Sequence, residues 1–187
     1  GSRYPNTSEL IDNLERNLCH PNLDVSELNI PFRLTPEVQN TGKLDTATMQ
    51  ELKRQFLQQL SQSKQFDQLF QHALATTVSQ RRYELLDVGE FTDLDDVAEI
   101  FELGGKLQQD NNCKLVYTEN PLRIYANGEL LDELNQAEAE ILKKLADGEN
   151  VDYAFLTQLI EKDGELSLHA LFDSICNWLD DGWVLIE

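Results

Sequence analysis

The sequence predicts a mainly α protein with a small β component, built as a helical part followed by a winged-helix-like part. One ground is the spacing of apolar residues, which is helical from Leu10 to Leu18, from Met49 to Val78, from Leu94 to Phe101 and again after Gln136. Runs rich in branched and aromatic residues are short and confined to the second half. The other ground is the order at the end of the chain: three short helical segments, each stopped by a glycine, and then a strand-like run. The pattern changes style after Gly89, so the predicted domains are 1–89 and 90–187.

The first helix starts at Asn6-Thr7-Ser8, whose side-chain oxygens can satisfy free amides, and carries Leu10, Ile11, Leu14 and Leu18 up to Cys19-His20-Pro21. Asn22 to Gly42, with Pro31 and Pro36, reads as an extended connector. Leu44 to Tyr83 is the strongest periodic stretch. Asp45 or Thr46 can cap a helix presenting Met49, Leu52, Phe56 and Leu60, and a break at Ser61-Gln62-Ser63 precedes Phe66, Leu69, Phe70, Ala73, Leu74 and Val78.

In the second part Thr92-Asp93-Leu94-Asp95 resembles a capping box with Asp in place of Glu, opening a helix that stops at Gly104-Gly105. Lys114 to Thr118 and Leu122 to Ala126 read as strands, separated by Glu119-Asn120-Pro121 and closed by Asn127-Gly128. Helices are predicted over Gln136 to Ala146, Asp152 to Lys162 and Ser167 to Asp181, with Trp183 to Ile186 as a final strand.

Composition narrows the function. The 187 residues hold 34 acidic against 15 basic, a formal net charge of -19, which argues against a nucleic-acid binder because phosphate is held chiefly by Lys and Arg. Apolar residues at 41% and charged residues at 26% are near globular values, so wholesale disorder is excluded. No apolar run is long enough to span a membrane. Cys19, Cys113 and Cys176 are odd in number and far apart, and read as reduced thiols of a cytoplasmic protein. Met49 is the only methionine and Gly1-Ser2 resembles what remains when a purification tag is cut away, so a fragment of something longer is expected.

No catalytic, cofactor-binding or metal-ligating residue is predicted. His20, His72 and His169 are scattered, and at His20-Pro21-Asn22 an asparagine stands where an iron site would want a carboxylate. Neither glycine pair forms a phosphate loop. Adjacent acids such as Asp95-Asp96 and Asp180-Asp181 read as solvated faces, since acid-base work needs carboxylates converging in a cleft. The third helix of the winged-helix pattern has no Lys or Arg, and Leu130 to Glu187 carries 3 Lys against 14 Asp and Glu, so repulsion should defeat docking on DNA. A basic protein would instead be attracted. The stripes of the Leu44 to Tyr83 helices can form a core of one chain or a seam with a second copy, and Leu52, Phe56, Leu60, Phe66, Phe70 and Leu74 are the candidate dimer-interface residues.

The order PNTSELI, an acidic proline-bearing connector, MQELKRQFLQQL, QFDQLFQHAL, RYEL and RIYANGELL before an all-helical end resembles the C-terminal half of bacterial cupin-type, JmjC-related ribosomal oxygenases, which are 50S ribosomal-protein arginine hydroxylases. The resemblance runs from Arg3 to Glu187 and implies a helical dimerisation domain followed by an acidic winged helix. It also implies a parent enzyme using Fe(II) and 2-oxoglutarate in a barrel that this chain lacks, with a basic ribosomal protein as substrate and a homodimer as its state. The family's iron ligands and its 2-oxoglutarate-binding basic residue match no position here, so no catalytic residue is carried over. A stand-alone acidic adaptor for basic proteins and a winged-helix transcriptional regulator are the alternatives. An upstream reading frame distinguishes the first, and a steep salt dependence of DNA binding the second.

Overall fold

A computed structural model describes residues 6–18, 45–80, 93–163 and 166–187. The predicted connector at 22–42, with Cys19 and His20, lies outside them, as do Tyr83 and the 89/90 boundary. The chain packs as two compact units that divide between Leu74 and Ala75. Unit 6–74 holds α1 (Thr7–Leu18), α2 (Thr46–Gln62) and most of α3 (Lys64–Ser79). Unit 75–187 holds the last turn of α3, then α4 (Leu94–Glu102), β1 (Leu107–Gln109), β2 (Leu115–Glu119), β3 (Leu122–Ala126), β4 (Glu129–Leu131), α5 (Gln136–Ala146), α6 (Tyr153–Asp163), α7 (Leu168–Asp180) and β5 (Val184–Ile186).

Capping explains where the first helices begin. Asn6 Oδ1 accepts from the Glu9 N–H at 3.0 Å while Glu9 Oε2 accepts from the Asn6 N–H at 2.9 Å, a reciprocal box around the start of α1. Asp45, the first of the two predicted caps, accepts from the Thr48 N–H at 2.8 Å. The break after α2 is a single residue: Ser63 leaves helical geometry and its Oγ accepts from the Phe66 N–H at 3.1 Å, capping α3. The box read at Thr92-Asp93-Leu94-Asp95 needs correction, because the N-cap of α4 is Asp93, whose side chain makes no capping bond, and Thr92 lies outside the described residues. The charge of Asp93 still meets the positive end of the helix dipole.

Unit 75–187 has two small sheets. In one, β1 pairs antiparallel with β5, Leu107 opposite Ile186, and on its other side Leu107 bridges Val151 between α5 and α6. In the other, β2, β3 and β4 form an antiparallel meander in that order. Two of these strands were missing from the sequence reading. β1 is Leu-Gln-Gln, too short and too polar to show a period. β4 follows the Asn127-Gly128 turn, where φ of 53° and 90° fits the tight hairpin connection that Asn-Gly favours.

Three helices close onto the sheets. Leu107, Ile141, Leu142, Leu145, Val151, Leu156, Leu171 and Ile175 are fully buried in one cluster, and Phe101 of α4 stacks on Phe172 of α7 with ring centroids 5.7 Å apart. Asn135 and Glu138 form the capping box of α5, and the spare oxygen of Glu138 accepts from the Ser174 hydroxyl, so one cap also fastens α5 to α7. Buried Ser79, at the end of α3, accepts from the Gly128 N–H at 3.1 Å and donates to the Thr76 carbonyl at 3.3 Å. Leu107→Ala should cost about 2–5 kcal/mol in urea unfolding of this unit, because it opens a cavity where both small-sheet pairings meet.

Candidate functional site

In unit 6–74 the predicted interface residues stand on two consecutive helices. Leu52 and Leu60 of α2 and Phe66 of α3 are half-buried, while Phe56 is 47% exposed and Phe70 and Leu74 are also exposed. Phe66 and Phe70 lie one turn apart with ring centroids at 6.1 Å. No residue of α2 is buried. Met49, at the head of the α2 stripe, and Leu57, 53% exposed, join the apolar surface. Periodicity does not select Leu57, because at 100° per residue it falls well to one side of the 49-52-56-60 stripe.

The opposite face of α2 is polar and self-satisfied. Arg54 donates from Nε and Nη2 to the two oxygens of Glu51 at 2.8 and 2.6 Å and from Nη1 to Gln58 at 3.1 Å, while Gln55 Nε2 donates to Glu51 Oε1 at 2.9 Å. These bonds, the one from Arg54 foremost, hold the Glu51 carboxyl down to about 2 and the Arg54 guanidinium above its ordinary range. An α-helix with one charged, internally bonded face and one exposed apolar face is built to lie against something.

Unit 75–187 presents a different surface. It carries 25 Asp and Glu against 8 Lys and Arg, whereas 6–74 carries 9 against 6, so most of the net charge sits here. Its third winged-helix helix, α7, buries Leu171, Phe172, Ile175 and Trp178 and exposes His169, Asp173 and Asn177. Burial and the nearby Asp173, Asp180 and Asp93 push the Cys176 thiol up, which keeps it protonated and unreactive at neutral pH. Cys113 is buried and stands outside any disulfide. His72 is half-buried on α3, and among the described residues no group of three or more His, Cys, Asp or Glu is placed to hold a metal ion. No described helix is long and apolar enough to cross a membrane.

Helices α5, α6 and α7 with β5, braced by β1, define a winged helix whose third helix is acidic. The chain belongs to the ROXA-like winged helix family, which it matches over residues 55–184. It is 55% identical over 192 residues to a probable ribosomal oxygenase of Haemophilus influenzae, covering 100% of this chain and 48% of that protein. The chain thus spans about half the length of this relative, corresponding to its C-terminal part. Among solved structures it is similar to YcfD, a ribosomal oxygenase from Escherichia coli, in complex with cobalt and succinic acid, with a TM-score of 0.57 at 20% identity over 99% of this chain and 47% of that one. The same protein in complex with cobalt and 2-oxoglutarate gives 0.53 at 21% identity over the same shares. At these identities the likeness is one of fold.

Asp180 and Asp181 end α7, where the helix dipole already concentrates negative charge. Partial burial, then Asp180 and Glu129, hold the Asp181 carboxyl above its ordinary value. A carboxylate whose folded pKa is raised costs stability wherever it is ionised, above that folded value. Asp181→Asn should therefore stabilise unit 75–187 at pH 7 by about 0.3–1 kcal/mol. The gain should shrink as pH falls through the folded value and vanish below the ordinary 3.8, read as melting temperature against pH.

Proposed function

We propose that this chain is the non-catalytic dimerisation and substrate-presenting part of a cytoplasmic Fe(II)/2-oxoglutarate-dependent ribosomal-protein arginine hydroxylase, acting as a homodimer on a basic ribosomal protein. The observation that carries the dimerisation reading is α2: 17 residues of helix with no buried side chain and an apolar stripe through the exposed Phe56. A symmetric pair would let that stripe meet its own copy, the commonest arrangement of soluble oligomers.

The enzymatic context is supported by the relatives, one named a probable ribosomal oxygenase and another solved with cobalt and 2-oxoglutarate. The described residues do not fit an iron centre, so no chemical step is assigned to them. Their part is binding. A strongly acidic unit raises the encounter rate with a basic partner, while the apolar helices set the geometry of the pair.

Light scattering over a dilution series should give twice the chain mass of 21.4 kDa for the wild type. Phe56→Asp and Phe70→Asp each place a charge in the seam and should weaken association by about 2 kcal/mol, roughly thirtyfold in Kd, or lower the melting temperature. Two variants with wild-type mass and melting temperature would move the seam elsewhere. A wild type that is monomeric at every concentration would overturn dimerisation in favour of the stand-alone acidic adaptor.

A further inference from the structure

The β2-β3-β4 order leaves β4 at an edge of its sheet. Ala126 faces Glu129 across the two-residue Asn127-Gly128 turn, so Glu129 and Leu131 point their backbone groups at β3. The alternation of an antiparallel ladder turns the N–H and C=O of Leu130, the middle residue of β4, outward. Leu130 makes no outward backbone hydrogen bond with any described residue.

Beside this edge runs an open groove of about 530 Å³, between the β3–β4 hairpin and the start of α5. Its apolar wall is Leu122, Leu130, Leu131 and Leu134, with Leu122 48% exposed. On its rim stand Asp132 and Glu133, both exposed and neither in an ion pair with a described residue. Glu140, also lining the groove, is by contrast held by Lys162 at 2.8 Å. The groove thus offers the outward N–H and C=O of Leu130, apolar contact and an excess of negative charge, with Arg123 as the one cation among its lining residues.

We propose that this groove takes an extended basic peptide segment of a partner protein, added to β4 as a fourth strand. Main-chain bonds to Leu130 supply the pairing, and alternate side chains divide between the leucine wall and the Asp132 and Glu133 carboxylates. Apolar residues go inward and Lys or Arg to Asp132 and Glu133, in the field of a unit with 25 acidic and 8 basic residues. The inference rests on the reading that the chain meets a basic partner, and gives that partner a place.

The test uses the full chain and a labelled, end-blocked peptide alternating lysine and valine, about six residues long as strands commonly are. Fluorescence anisotropy should show binding, and hydrogen exchange should show the Leu130 amide becoming protected. D132K/E133K should weaken binding about tenfold or more, whereas D95K/D173K, two exposed acids outside the groove, should weaken it less than about threefold. Leu130→Pro removes the outward N–H without taking a ladder bond and should weaken binding with the melting temperature held. Equal losses in the two double variants, or an unprotected Leu130 amide, would overturn the groove and leave a general attraction for basic partners intact. A wild type that ignores the basic peptide would overturn both.

Discussion

The pairing of Leu107 holds unit 75–187 together. Its N–H donates to the Val151 carbonyl at 2.8 Å and its carbonyl accepts from Val151 at 2.9 Å, while β1 pairs on the other side with β5 near the end of the chain. Three segments distant in sequence are thereby fixed at one point, and α5, α6 and α7 hang between them. Leu107 and Val151 are both fully buried, so the junction also stands inside the apolar core. The core must offset the repulsion of a large excess of acids, and it does so by turning helices inward on Ile141, Leu142, Leu171 and Ile175 while leaving the charge in water.

The two units divide their physics. In 75–187 the apolar side chains have found one another and the surface is a field. In 6–74 much of the apolar surface is still on the outside. A 17-residue helix is marginal in water without tertiary packing. The Asp45 cap contributes only about 1 kcal/mol, and the Glu51, Arg54 and Gln55 bonds are weakened by the water around them. Those local terms leave Met49, Phe56 and Leu57 in solvent, and a second apolar surface is the ordinary way to remove them from it.

The helices were legible because their signals are local. Asp45, Ser167 and the glycines after α4, α5 and α7 mark ends by chemistry that a few residues decide. The apolar stripe of α2 was legible as a stripe, yet periodicity cannot say whether a stripe is covered by its own chain, and it does not select Leu57. β1 was illegible in principle, since three residues with two glutamines become a strand only because Val151 and β5 flank them.

The omission of β4 has a different physical cause. Asn127-Gly128 was visible and was read as the end of a strand, when a two-residue turn of that composition returns the chain alongside itself. A turn read as a stop predicts one fewer strand; a turn read as a hairpin also fixes register, and register decides which backbone groups face outward. Leu130 has outward-facing groups for that reason alone, with no signal in its own side chain. The groove beside them was hidden in the sequence because it follows from the phase of a ladder set by two residues that do not line it.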